Sequence, residues 1–107
     1  MLHLPTFEQL RYYIRQILCT RADLDAATPM LERTLRRKGK PCGVEFTLLA
    51  GRSVRLSAIW ETIEGRILFY SQDLDRFLVV PVRGPAVEHI ENRSVEAVAV
   101  ASLWQGK

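Results

Sequence analysis

The stretch RTLRRKGKPCG, residues 33–43, decides how this chain is read. Its first eight residues carry five positive charges, Arg33, Arg36, Arg37, Lys38 and Lys40, and no acid. It also stands where the rhythm of the chain changes. Upstream, apolar residues recur every three or four positions. Downstream, from Val44, they recur at every second position, the spacing of a half-buried strand.

Read as the end of a helix, the stretch has consistent punctuation. Thr28-Pro29 offers an N-cap followed by proline at the first helical position. Leu31 and Leu35 are four apart, and Gly39 is a natural C-terminal stop. These signals predict a helix over 29–38. On its wheel Arg33, Arg36 and Arg37 lie within about 100° of one another, opposite the two leucines. Lys38 and Lys40 extend the charge past the end. Two uses of the charge compete. The simpler is that cations at a helix C-terminus offset its dipole, worth ~0.3–1 kcal/mol each, while solvating an exposed side. The other is a polyanion-binding face, in which Arg33, Arg36, Arg37, Lys38 and Lys40 contact phosphates of a nucleic acid. No aromatic base-reading cluster accompanies the run. GKPCG is not a phosphate loop, because it follows a helix pattern and opens a strand pattern.

Before this stretch, Thr6 and Gln9 have capping-box spacing, and Phe7, Leu10, Ile14, Ile17 and Leu18 form an apolar stripe. A first helix is predicted over 7–20. After it, alternation predicts strands at 44–50, 54–61, 66–71 and 76–82. A loop at Gly51-Arg52-Ser53 pairs Ala50 with Val54, Leu48 with Leu56, Phe46 with Ala58 and Val44 with Trp60. Every pair is then apolar, whereas a two-residue loop sets Leu48 against Arg55. A tight Glu64-Gly65 turn sets Trp60 beside Phe69, and Phe69 meets Phe77 around Gln72-Asp73-Leu74. The expected core face carries Val44, Phe46, Leu48, Val54, Leu56, Trp60, Ile67, Phe69, Phe77 and Val79. A short helix at 86–92 and a strand or helix at 95–103 complete the chain. The expected fold class is α+β: two N-terminal helices packed on a four- to five-stranded antiparallel meander, with a short helix before the C-terminal segment.

The opposite face is polar near the first hairpin (Glu45, Thr47, Arg55, Ser57) but apolar towards strands three and four. Ile59, Leu68, Tyr70, Leu78 and Val80 fall there. An apolar patch on a second face is covered or binds something. This patch is the predicted contact surface for a protein partner or for self-association. Tyr70, facing Arg76, is the better candidate for a partner contact, since Trp60 lies in the core stripe.

Composition bounds the rest. The 107 residues fit one domain, and 48% apolar with 25% charged residues is ordinary for a globular chain. No apolar run nears the ~20 residues that span a bilayer, so no membrane partner is expected. MLHLPTFEQ lacks a charged leader and an apolar core, which predicts no signal peptide and a cytoplasmic location. The net charge of +3 resides in residues 1–43, which hold eight Lys and Arg against four acids. The two cysteines, Cys19 and Cys42, form no ligand set with His3 and His89, so no metal and no cofactor are expected. Cys42 among Arg37, Lys38 and Lys40 has positive neighbours but no base or resolving thiol, and reads as a small residue at a strand entry. Glu88, His89 and Glu91 place carboxylates beside an imidazole, yet read as a solvated helix. Ser71 to Asp75 read as turn chemistry. A third possibility is an enzyme whose site gathers scattered residues in space.

Overall fold

A computed structural model describes residues 1–50 and 54–86. The element order is β1 (Leu2–His3), α1 (Phe7–Ala22), β2 (Met30–Arg37), β3 (Lys40–Ala50), β4 (Val54–Glu61), β5 (Arg66–Tyr70) and β6 (Arg76–Arg83). The strands form one six-stranded sheet in the order β1-β6-β5-β4-β3-β2. All neighbours are antiparallel except β1 and β6, which run parallel, with Leu2 opposite Val82 and His3 opposite Arg83. The expected architecture of two helices on a four- to five-stranded antiparallel sheet is therefore corrected. Among the described residues there is one helix, and the sheet is six-stranded and mixed.

The first helix begins as its sequence dictates. The Thr6 hydroxyl accepts from the Gln9 N–H at 3.1 Å, and the Thr6 N–H donates to Gln9 Oε1 at 3.2 Å. This capping box satisfies two otherwise orphaned donors. The helix stops where Asp23 enters the left-handed region at φ 54°. Its stripe of Phe7, Leu10, Ile14 and Leu18 is buried. It packs over β3 and β4, on the sheet face formed by Val44, Phe46, Leu48, Leu56, Ala58, Trp60, Ile67 and Phe69. Phe7 meets Trp60 edge-on, with ring centroids 5.8 Å apart and planes at 83°.

The helix expected over 29–38 is strand β2, and its start and stop signals serve other ends. The Thr28 hydroxyl donates to the Asp25 carbonyl at 2.7 Å and so caps nothing. The Pro29 carbonyl accepts from the Leu49 N–H at 2.9 Å, which opens the strand pairing. Arg15 holds the connector in place, its Nη1 donating to the carbonyls of Ala26 at 3.1 Å and Thr28 at 2.5 Å. Gly39 does supply a left-handed residue, but for a hairpin. Lys38 at φ 53° and Gly39 at φ 79° form the two-residue corner between Arg37 and Lys40, which lie opposite each other. Two successive positive φ values are those of a primed hairpin turn, whose twist matches that of the strands. Within β2 the period is two. Met30, Glu32 and Thr34 lie on the helix-covered side; Leu31, Arg33 and Leu35 lie on the other. Glu32 accepts from Arg11 of α1 through two contacts, one of them Nη2–Oε1 at 3.1 Å. Its side chain is 8% exposed.

The first meander hairpin has the four expected apolar pairs, Ala50–Val54, Leu48–Leu56, Phe46–Ala58 and Val44–Trp60. Residues 51–53 lie outside the described residues, as do the segments expected to form a helix at 86–92, from 87 onward, and a strand or helix at 95–103. The second hairpin differs. Its turn spans residues 62–65, closed by a Gly65 N–H to Glu61 carbonyl bond of 3.0 Å. Trp60 consequently faces Ile67, and Phe69 faces Ala58. In the third, a bulge between Phe69 and Tyr70 leaves Phe77 as an extra residue, with Leu78 opposite Phe69 and Arg76 opposite Tyr70. Phe77 still reaches Phe69, with centroids 6.1 Å apart. Beyond the bulge the alternation of β6 is reversed. Val80 and Val82 pack on the core, while Val79, expected inside, is 42% exposed.

Two tests follow from this packing. Gly39→Ala is expected to lower stability by about 1–2 kcal/mol through backbone strain alone, because no atom lies within 4 Å of the added Cβ. Lys38→Asn is expected to raise stability by up to about 1 kcal/mol, since asparagine suits this corner. Both are read from urea denaturation midpoints. Glu32→Gln is expected to cost about 3 kcal/mol, because it leaves part-buried Arg11 without its carboxylate. Glu45→Gln, on a pair whose Arg33 is 71% exposed, should cost less than about 1 kcal/mol.

Candidate interaction surfaces

The sheet face away from α1 is laid out by strand register. One row crosses the sheet as Arg33–Glu45–Ile59–Leu68–Val79. It is flanked by Leu31–Thr47–Ser57–Tyr70–Arg76 and by Leu35–Gly43–Glu61–Arg66–Pro81. Ile59, Leu68 and Tyr70, named from alternation, thus stand together on neighbouring strands. Ile59 and Tyr70 are half-buried. Leu68 is only 4% exposed, although it stands outside the core cluster. Leu78, expected on this face, stands opposite core residue Phe69 and so falls on the α1 side, where it is 38% exposed. Val80 is on the core side. Val79, Leu31 and Leu35 join this face instead. Sequence reasoning missed the first because of the bulge, and the other two because β2 was read as a helix.

Two ion pairs lie within this face, while Arg55 and Arg76, on the same face, have no acidic partner among the described residues. Arg33 Nη2 and Nε donate to Glu45 Oε1 at 2.7 and 3.0 Å. Arg66 Nε donates to Glu61 Oε1 at 2.5 Å. This hydrogen bond, aided by the Glu61 charge, pushes the Arg66 pKa up and keeps the guanidinium charged. Arg76 lies opposite Tyr70 in register, as expected. Trp60 is 2% exposed and belongs to the core.

The basic run occupies the β2–β3 hairpin. It does not end a helix, so the dipole explanation of its charge is withdrawn. Arg33 sits in the body of the sheet, bound to Glu45. Arg36 Nη1 donates to the Gly39 carbonyl at 3.4 Å. Arg37, Lys38 and Lys40 cluster at the exposed corner. Among the described residues none of these three has an acidic partner.

Both cysteines are free thiols. Cys19 is buried in α1 and lies 3.5 Å from the Asp25 carbonyl. Burial is the main reason its pKa is raised; Arg15 opposes the shift and Asp25 adds to it. Cys42 is half-buried, 3.5 Å from the Leu35 carbonyl. It lines a shallow recess with Arg37, Ile59, Glu61 and Glu64. The Ser71–Asp75 segment is a turn, with Leu74 N–H on the Ser71 carbonyl at 3.0 Å. Glu88, His89 and Glu91 lie outside the described residues. Among the described residues no group of three or more His, Cys, Asp or Glu side chains is placed to hold a metal ion. No described helix is long and apolar enough to cross a membrane.

The two thiols are expected to separate on alkylation. Cys42 reacts with iodoacetamide in the native protein, while Cys19 reacts at a comparable rate only in denaturant, as mass spectrometry of the labelled peptides will read. The folded state favours the protonated Cys19 thiol. Its contribution to stability is therefore complete below the ordinary thiol pKa and is lost as pH rises through the higher folded value.

No protein-family model, curated protein or solved structure matches this chain.

Proposed function

We propose that the protein is a contact module that self-associates through the sheet face opposite α1. The observation that carries this reading is the apolar row Ile59–Leu68–Val79, which crosses three adjacent strands on a face where no described helix packs; Leu68 is buried, so half-buried Ile59 and exposed Val79 supply the contact area. Tyr70 widens it. Two features favour a second copy as the occupant. Arg33 and Arg66 are neutralised within the face by Glu45 and Glu61. The apolar row is therefore flanked by ion pairs, and the unpaired cations Arg55 and Arg76 lie towards one end of the face. An isologous contact also needs only one self-complementary patch, the commonest arrangement in soluble oligomers. A standard interface of about 800 Å² per partner suffices.

Light scattering across a concentration series, at low and high salt, tests the reading. A dimer mass that persists at high salt is expected, because apolar contact is little screened. Val79→Glu should raise the dissociation constant by roughly 10-fold or more, ~1.4 kcal/mol, with the circular dichroism spectrum unchanged. A monomer at every concentration overturns the proposal.

A further inference from the structure

We infer that the tip of the β2–β3 hairpin is a prong for duplex nucleic acid, contacting backbone phosphates through Arg37, Lys38 and Lys40. The observations behind it are independent of the apolar face, and the inference stands whether or not that face associates.

The first observation is reach. Strand β4 ends at Glu61, which lies opposite Gly43. The neighbouring turn attaches at Cys42, whose carbonyl accepts from the Thr62 N–H at 3.2 Å. Arg36 to Pro41 therefore extend past the body of the sheet as a two-stranded ribbon. At ~3.4 Å per residue, Lys40 and Pro41 carry it about 7 Å further. A ribbon of this width enters the major groove, which is about 12 Å wide and about 8.5 Å deep.

The second observation is unbalanced charge. Arg11, Arg33 and Arg66 each have a carboxylate partner. Arg37, Lys38 and Lys40 have none among the described residues, although Arg37 lines one recess with Glu61 and Glu64. Arg55 and Arg76 are unpaired as well but stand singly, whereas the tip gathers three such cations within four residues. Arg37 and Lys40 also stand directly opposite each other across the hairpin. Like charges at that spacing destabilise a strand pair, so the corner is under a penalty that an anion between them relieves. Edge protection accounts for cations along β2, where they discourage strand addition. It does not account for their concentration at a turn, where no strand can add. Residues 36–40 include no apolar side chain, so a lipid surface could hold the tip by charge alone, whereas a duplex also offers a groove that fits the ribbon.

Fluorescence anisotropy with a labelled duplex of about 20 base pairs, two helical turns, provides the test. Three phosphate contacts give a slope of log K against log salt of about −2.7, or about a 40-fold loss between roughly 50 and 200 mM salt. Lys38→Gln with Lys40→Gln is expected to flatten the slope by about 2 and to leave the thermal midpoint unchanged or higher, because the facing charges are relieved. Arg55→Gln, a change at an exposed cation elsewhere on the sheet, should leave the slope as it was. No binding at the lowest salt, a slope unmoved by the tip variants, or binding to phosphatidylserine vesicles in place of the duplex each overturns the inference.

Discussion

Everything described rests on one contact: the apolar stripe of α1 lying across the middle of the sheet. Phe7, Leu10, Ile14 and Leu18 are buried against Phe46, Ala58, Ile67 and Phe69, most of them with no exposure at all. Burying four such side chains is worth roughly 1.5–3 kcal/mol each before conformational entropy is counted. A helix of 16 residues is about 24 Å long, enough to cross β3 and β4 obliquely. Among the described residues one helix covers this face of the sheet. The Arg11–Glu32 pair ties this helix to β2, so the edge strand is fixed to the core by charge as well as by its backbone.

How far this was legible in the residues depends on how many signals converged. From Val44 to Trp60 they did. Alternation, turn residues and the need for apolar facing pairs allow one register, and that register is present. The region 28–39 failed because each of its marks has two meanings. Thr28 before Pro29 can start a helix, or turn back on Asp25. Leu31 and Leu35 are four apart, which suits one side of a helix and also one face of a strand. Gly39 in the left-handed region ends helices and turns hairpins alike. What distinguishes the outcomes is non-local: β2 needs β3 beside it, and Glu32 needs Arg11. Leu2 and His3 form too short a strand to show a period. The bulge at Phe77 leaves no trace in composition, yet it moves Val79 and Val80 to opposite faces. Part of the candidate surface was therefore readable, namely Ile59, Leu68 and Tyr70, and the part beyond the bulge was not.

The charge pattern acquires a different meaning once β2 is a strand. On a helix, five cations near the C-terminus have a ready electrostatic role. On a hairpin they divide. Arg33 is absorbed into the sheet by Glu45, while the corner residues keep their charge at the end of a projecting ribbon. The molecule thus separates a partly apolar sheet face, with two internal ion pairs, from a basic tip.

Gly84 follows β6 at a place where any Cβ would lie 2.6 Å from the Trp60 ring. The same indole meets the Phe7 ring nearly at right angles at the opening of α1. The backbone leaving the sheet and the first turn of the helix therefore meet on one aromatic plate. A bulkier residue at this exit would displace the indole and reach the amino-terminal cap without touching it. With Trp104, the second tryptophan of the chain, replaced by phenylalanine, the emission of Trp60 is accordingly an intrinsic gauge of whether the two ends of the described chain are seated together.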